Sequence, residues 1–197
     1  MAAVLAELQR GTTQRVHLRA VTVAQYHRLI RDSYYTKDDH VELIQGMVIE
    51  KIPRDPIHDN IIYKLYLRII KRLPDGMIAR NQSAITLEDS EPEPDIVVAI
   101  GDEDTFAEAH PGPADILLII EVANSSMAFD SSLKFETYAA SGIKSYAILN
   151  FAEKQLHLYT QPAEGAYQST QTFSRTDVVT IPLGDKTLTL ELASVFA

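Results

Sequence analysis

The amino-acid sequence predicts an α+β fold in which a mixed β-sheet is flanked by helices. Few segments show helical periodicity, whereas many short segments have the composition of strands. Two of these, DIVVAI (95–100) and ILLII (116–120), are apolar at consecutive positions, which is typical of central strands covered on both faces. Few helices and many strands together indicate a sheet with helices packed against it.

Helix signals are confined to three segments: 22–32, 56–72 and 131–141. Thr22 stands in the position of an N-cap before an apolar stripe. Asp55 and Pro56 suit the cap and the first position of the longest helix. Asp130 is the predicted cap of the third helix, and Gly142 is its predicted end.

Strand signals fill most of the remaining sequence. Gln45-Gly46 predicts a tight hairpin between the first two strands. The predicted strands, in chain order, are 41–44, 47–52, 77–82, 83–88, 95–100, 115–122, 145–151, 154–160, 166–173, 178–181 and 187–192.

Length and composition exclude several classes of protein. The 197 residues predict a single domain over 1–197, with residues 1–20 as a loosely ordered N-terminal extension. The absence of Cys excludes a disulfide framework and a Cys nucleophile. No two of the six His lie within five residues, which excludes a helical zinc motif. Without an apolar run of about 20 residues or a signal peptide, the sequence predicts a cytoplasmic protein that does not bind membranes.

Acidic residues are concentrated in one part of the chain. Net charge is −9, and residues 81–130 hold 12 Asp and Glu but no Lys or Arg. Such a block does not suit tight, non-specific binding of nucleic acid, which needs clustered cations. It suits divalent cations, which take carboxylate ligands, and it equally suits a solvated acidic loop.

Two acids mark the ends of the central strands, since Asp95 begins one and Glu121 ends the other. If these strands pair antiparallel, the two residues are directly opposed, with Cβ atoms about 4.5–5.5 Å apart. Carboxylates this close repel unless a proton or a cation lies between them, and Mg²⁺ is the usual cation. Lys134, in the first turn of the next helix, can stabilise negative charge on phosphorus or activate a water. A turn acid, an edge charge and a Lys134–Asp130 pair are the alternative interpretations.

Three segments carry a family resemblance: PEPDIVV, ILLIIEVANSS and the following D-x-x-x-K-x-x-x-Y-A-x-x-G pattern. With them, residues 22–160 resemble the Uma-two family, a restriction-endonuclease-like group of the PD-(D/E)xK nuclease superfamily that is common in cyanobacteria. The resemblance implies a restriction-endonuclease-like core and a metal-dependent phosphodiesterase. Mg²⁺ or Mn²⁺ is the implied cofactor.

The resemblance also implies roles for individual residues. Asp95 matches the Asp of the PD element, and Glu121 matches the acid of the second element. Position 123, where the lysine usually stands, is Ala, so Lys134 matches the variant in which the lysine lies on the next helix. Glu42 matches an acid that can join the metal site. Three more residues stand at positions typical of the family: His58, Asp130 and Tyr138.

The long helix adds a candidate surface for nucleic acid. Its spacing predicts a buried face of Ile57, Ile61, Leu65 and Ile69. The opposite face is a basic stripe that can follow a phosphate backbone, made of Lys64, Arg68, Lys71 and Arg72. His58, in the first turn, can contact phosphate, although a lone His is more often structural.

The sequence therefore favours a Mg²⁺-dependent endonuclease acting on DNA. A homodimer is expected because nucleases of this fold often pair to cut both strands. One alternative is a catalytically inactive nuclease-fold protein that binds DNA or protein. A glycosidase with a carboxylate pair is a third reading, and it gives no role to Lys134.

Overall fold

The computed structural model describes residues 19–51, 55–123 and 128–196. The chain divides into two compact units, Met1–Ile52 with Glu88–Pro92 and Pro53–Leu87 with Glu93–Ala197. The predicted N-terminal extension lies outside the described residues up to position 18. The single domain over 1–197 stays a prediction.

The described part of the first unit contains α1 (Val23–Arg31) and a hairpin of β1 (Val41–Ile44) and β2 (Met47–Glu50). Thr22 accepts a hydrogen bond from the Gln25 N–H, and the Gln25 side chain accepts one from the Thr22 N–H, which is a capping box. Gln45 and Gly46 both have positive φ (49° and 72°), as a type I′ turn requires. The predicted first helix and hairpin are confirmed.

The second unit is built on a six-stranded sheet of order β3-β4-β5-β6-β7-β8. Only the β5–β6 pair of this sheet is parallel, so the sheet is mixed, as predicted. Strands β9 and β10 form a separate hairpin. The described elements are α2 (Pro56–Ile70), β3 (Met77–Asn81), β4 (Ile96–Ile100), β5 (Ile116–Ala123), α3 (Ala128–Ala140), β6 (Ser145–Asn150), β7 (Gln155–Ala163), β8 (Ala166–Ser174), β9 (Val178–Leu183), β10 (Lys186–Glu191) and α4 (Leu192–Val195).

Strands β4 and β5 are covered on both faces of the sheet. One face carries a core that α2, the β9–β10 hairpin and α4 complete. The other face carries a second core, to which α3 contributes Tyr138 and Ala139. The prediction that these two apolar runs are central strands is therefore confirmed.

The predicted buried face of α2 is confirmed at Leu65 and Ile69 and is wrong at the start of the helix. Ile57 is 62% exposed, and Ile61 is only partly buried. Each residue turns a helix by about 100°, so a buried stripe that starts one residue later leaves Ile57 pointing outward. The residues that α2 buries are His58, Ile62, Leu65 and Ile69.

The strand predicted over 83–88 is wrong. Residues 83–87 form no strand in the structure, and Thr86 donates its N–H to the loop carbonyl of Pro111 at 3.0 Å. Ile85 and Leu87 are buried against the sheet. An extended segment crossing a sheet face also buries every second side chain, so its alternation imitates that of a strand.

Helix α3 begins earlier than predicted. Its first residue is Ala128, so Asp130 is the third helical residue and not the N-cap, and Lys134 lies in the second turn and not the first. An acid is favourable both at the N-cap and in the first turn, because the helix dipole is positive at this end. The sequence alone therefore does not distinguish these two positions for Asp130. The predicted end is confirmed, since Gly142 has φ +75° and the Ile143 N–H donates to the Tyr138 carbonyl at 3.1 Å.

Candidate active site

The register of β4 against β5 brings Asp95 and Glu121 together. Ile96 pairs with Ile120 in the antiparallel ladder, and one further step in that register places Asp95 opposite Glu121. Directly opposed residues have Cβ atoms about 4.5–5.5 Å apart and point to the same face. Both carboxylates therefore lie on the sheet face that α3 covers.

A β-bulge alters the other end of this ladder. Continued without a shift, the register that opposes Asp95 and Glu121 would pair Ile100 with Ile116. Instead, Ile116 pairs with Ala99 after a register shift between Val98 and Ala99. The extra residue is Leu117, which has no partner in the ladder. The shift lies beyond Val98, so it leaves the register at the acidic end unchanged.

Asp95 is held by the backbone of β5 and by a histidine from α2. The Val122 N–H donates to Asp95 Oδ2 at 2.8 Å, and His58 Nε2 lies 3.4 Å from the same oxygen. His58 Nε2 is also 2.8 Å from the Val122 carbonyl oxygen, to which it donates when the proton is on Nε2. Asp55 accepts the His58 N–H at 2.8 Å and so fixes the turn that carries the ring. His58 thus joins α2 to the end of β5, and its contact with phosphate stays a prediction.

Glu121 is held by two side chains of α3. Lys134 Nζ lies 3.2 Å from Oε1, and the Tyr138 hydroxyl donates to the same oxygen at 3.0 Å. Lys134 and Tyr138 are four residues apart, so they lie on one face of the helix. The Asp95 N–H approaches Oε2 at 3.3 Å, which links the two acidic residues directly.

These ionisable groups are largely removed from water. The exposed fractions of the Asp95, Glu121 and Lys134 side chains are 5%, 14% and 9%. The two carboxylates lie beside the Lys134 ammonium and the His58 imidazole, and buried carboxylates are costly unless cations or hydrogen-bond donors neutralise them. The arrangement therefore favours binding of a cation at Asp95 and Glu121.

The donor set fits Mg²⁺ or Mn²⁺ bound by few protein ligands. Within residues 19–51, 55–123 and 128–196, no group of three or more His, Asp or Glu is placed to hold a metal ion. Mg²⁺ commonly takes one or two carboxylates and completes its shell with water and phosphate oxygens. Asp95 and Glu121 supply two such carboxylates.

Two further residues have roles that the family resemblance suggests. Glu42 belongs to β1 of the first unit, where its side chain is buried. Its part in the metal site stays a prediction. Asp130 lies in α3, and its side chain is outside the described part of the structure.

The predicted basic stripe of α2 is not a uniform exposed surface. Arg68 is half-buried, and its guanidinium donates to the Ser194 hydroxyl at 2.7 Å and to the Ser194 carbonyl. Arg68 therefore links α4 to α2 by hydrogen bonds. The prediction that it is an exposed member of the stripe is wrong. Arg72 lies 3.7 Å from Glu191, while Lys64 is half-buried and Lys71 is exposed. A role for these four cations in nucleic-acid binding stays a prediction.

The prediction did not include the main chain of Val122. Its N–H holds Asp95 and its carbonyl accepts from His58, so both backbone groups belong to the site. Every residue other than proline has a backbone N–H and a carbonyl. The type of side chain therefore does not show which backbone groups take part in the site. Only the pairing of β4 with β5 shows which N–H Asp95 can reach.

Comparison with sequence families matches residues 23–193 to "Uma2: Putative restriction endonuclease". The chain belongs to the Uma2 family. The resemblance seen in its sequence motifs is thus confirmed over most of its length. No curated protein matches this Uma2 chain.

The fold of this Uma2 protein is also similar to a solved structure. That crystal structure, from Anabaena variabilis, is described as "a putative nuclease belonging to DUF820". The TM-score is 0.70 at 18% sequence identity, and the match covers 89% of this chain and 97% of that chain. The α+β architecture is therefore shared. Across the described ranges of the Uma2 chain, the helices are too short or too polar to cross a membrane.

Proposed function

We propose that this Uma2 protein is a Mg²⁺- or Mn²⁺-dependent endonuclease that hydrolyses phosphodiester bonds of DNA. The observation that carries the proposal is the pair of Asp95 and Glu121 carboxylates, which are only 5% and 14% exposed, with the Lys134 ammonium 3.2 Å from Glu121. Nuclease chemistry needs a metal site, a nearby cation and access for a phosphate. Family membership supports the same reaction class.

Asp95 and Glu121 would hold the metal ion. A bound divalent cation supplies electrostatic stabilisation of the charge that develops on the phosphate oxygens. The Val122 N–H and the Tyr138 hydroxyl each donate to one carboxylate, which fixes the direction in which its remaining lone pairs point. This preorganisation reduces the rearrangement needed when a phosphodiester enters.

Lys134 is the residue proposed to act on the reacting phosphate. Lys134 is 7% exposed and its ammonium lies 3.2 Å from Glu121 Oε1, so its positive charge stands at the edge of the carboxylate pair. In the low dielectric of the site, that charge stabilises negative charge on phosphorus more than it would in water. Lys134 also holds a proton that can be donated to the leaving oxygen.

A path for the substrate backbone and a dimer complete the proposal. Lys71 and Arg72 at the end of α2 can contact the phosphate backbone, with Lys64 beside them. A homodimer would place two such sites on one duplex, as cleavage of both strands requires.

The test is cleavage of supercoiled plasmid DNA in Mg²⁺, in Mn²⁺ and in EDTA. We expect nicking in either metal by the wild type and none in EDTA. Asp95→Asn and Glu121→Gln should abolish it, and Lys134→Met should slow it by roughly 10²–10³-fold, as for other electrostatic stabilisers. A parallel assay on single-stranded RNA distinguishes the substrates, and activity on RNA alone would contradict the assignment to DNA.

Matched variants control for loss of folding. Glu136 is an exposed carboxylate on the same helix as Lys134, and Lys144 is an exposed lysine just beyond it. Glu136→Gln and Lys144→Met should cut at the wild-type rate. Equal losses in these controls and in the site variants would show general destabilisation, whereas undiminished nicking by the site variants would show that the activity comes from a contaminant.

One observation favours a second function, that of a nuclease-fold protein that binds without cutting. Residues 81–130 hold 12 Asp and Glu but no Lys or Arg, and this acidic block disfavours the close hold on a polyanion that cleavage requires. A binding module of this kind would retain DNA or protein affinity in EDTA. Wild-type protein that binds DNA equally with and without Mg²⁺ and never nicks it would establish this alternative.

A further inference from the structure

Arg80 is an isolated cation in an acidic part of the chain. It is the only Lys or Arg between positions 73 and 133. An arginine beside many carboxylates normally forms an ion pair with one of them. Among the described residues, however, Arg80 makes no ion pair at all. Its positive charge is therefore left available on the edge strand β3.

Arg80 projects from the sheet face that carries the candidate active site. It pairs with Val97 in the β3–β4 ladder, and Val97 belongs to the core on the α3 face. Asp95 is two residues from Val97 and points to that same face, which makes it the diagonal neighbour of Arg80. Diagonal neighbours are about 7–8 Å apart, a distance that a long side chain spans. The pairing continues past Arg80, because the Gln82 N–H donates to the Asp95 carbonyl at 3.0 Å.

The surroundings of the Arg80 guanidinium suit the binding of an anion. Its central carbon lies 5.7 Å from the centroid of the Phe106 ring, an aromatic surface that supports the planar group. Arg80 Nε is buried, and no acceptor from the described residues hydrogen-bonds to it. The side chain as a whole is half-buried, and no hydrogen bond from the described residues engages the two outer nitrogens of the guanidinium, so these are the N–H groups that a phosphate oxygen can reach. The planar fork of arginine matches a phosphate bidentately, which lysine cannot do.

We infer that Arg80, supported by Phe106, binds a phosphate of the substrate backbone next to the phosphodiester held at Asp95 and Glu121. This inference rests on the proposed function, which it extends with a residue for substrate binding. The contact positions the nucleic acid and takes no part in bond cleavage. Its loss should therefore raise KM and the Kd for DNA while leaving kcat nearly unchanged.

The first test measures binding of a short fluorescein-labelled DNA duplex by anisotropy, with Ca²⁺ replacing Mg²⁺ to prevent cleavage. Arg80→Gln should raise Kd about tenfold or more, the factor for one charge-assisted contact, and reduce the salt dependence by about one phosphate. Arg175→Gln, in the exposed turn after β8, is the matched control and should bind as the wild type does. Unchanged affinity in Arg80→Gln would overturn the inference.

The second test does not depend on nuclease activity. The Nε–H resonance of Arg80 is identified by its loss in Arg80→Lys, and is then followed during titration with inorganic phosphate. A saturable shift of this resonance supports an anion site, and a resonance that does not move overturns it. If Arg80→Gln fails to fold, Arg80→Lys replaces it in the binding assay and should bind more weakly than the wild type, because it lacks the planar fork.

Failure of the proposed function is distinguishable from failure of this inference. Wild-type protein that neither nicks plasmid nor binds the duplex contradicts the endonuclease. In that event the phosphate titration alone decides whether Arg80 is an anion site: a saturable shift of its Nε–H resonance supports the site, and an unmoved resonance refutes it. Wild-type protein that binds the duplex with no dependence on Arg80 retains the proposed function and refutes only the role of Arg80.

Discussion

Replacing Lys134 with Met removes the buried ammonium and keeps a side chain of similar length. In the native protein, Lys134 Nζ lies 3.2 Å from Glu121 Oε1, and the two side chains are 9% and 14% exposed. Removing one partner of a buried ion pair typically costs about 3–5 kcal/mol of unfolding free energy. Glu121 keeps the Tyr138 hydroxyl as a donor, so we expect the lower end, about 3 kcal/mol. A loss of that size corresponds to a fall in Tm of about 6–12 °C for a chain of this length.

The assay is urea unfolding in EDTA, followed by circular dichroism, for a double-mutant cycle of Lys134→Met and Glu121→Gln. The two changes should be less than additive by about 2 kcal/mol, because each removes the same interaction. Added Mg²⁺ should stabilise Lys134→Met, since a bound cation replaces part of the missing charge and shifts stability by mass action. Lys144→Met, which alters an exposed lysine, should match the wild type. An additive cycle, or a Lys134→Met cost below about 0.5 kcal/mol, would refute the reasoning.

The remaining predictions concern packing and pH. Ile62→Ala should cost about 2–5 kcal/mol in urea unfolding, whereas Ile57→Ala, at an exposed position, should stay within about 0.5 kcal/mol; equal costs would contradict the assigned face. Arg68→Ala should increase proteolysis at the C-terminal helix, because it removes both hydrogen bonds to Ser194, and wild-type protection in the variant would be inconsistent with that contact. Burial raises the pKa of Tyr167, so above pH ~10 the unfolded chain loses this proton first and stability falls as pH rises. Tyr167→Phe should lessen that fall in urea midpoints measured from neutral to alkaline pH, and an identical slope would exclude Tyr167 as its source.

The opposition of Asp95 and Glu121 could be predicted because it depends on few assumptions. Both residues stand at the ends of apolar runs, and antiparallel pairing of neighbouring strands places such ends together. The β-bulge at Val98 invalidated the simple register at the far end of the ladder, yet the acidic end kept it. The position of Lys134 on the next helix allowed a contact but did not determine it.

Contacts between distant parts of the chain could not be read from local pattern. Arg68 had the spacing of an exposed cation, and its partner Ser194 lies far along the chain in α4. Ile57 fits an apolar helical stripe as well as Ile62 does, and only packing against the sheet selects one of them. The backbone of Val122 joined the site through strand pairing, to which side-chain identity gives no guide.

The central claim is that Asp95 and Glu121 together bind a divalent cation and that Lys134 does not. Calorimetric titration of Mn²⁺ into the wild type, Asp95→Asn and Lys134→Met tests this most directly. An ammonium does not ligate a metal, whereas a carboxylate does. The account predicts saturable binding in the wild type and in Lys134→Met and a large loss of affinity in Asp95→Asn. Absence of Mn²⁺ binding in the wild type, or equal affinity in the wild type and Asp95→Asn, would contradict it.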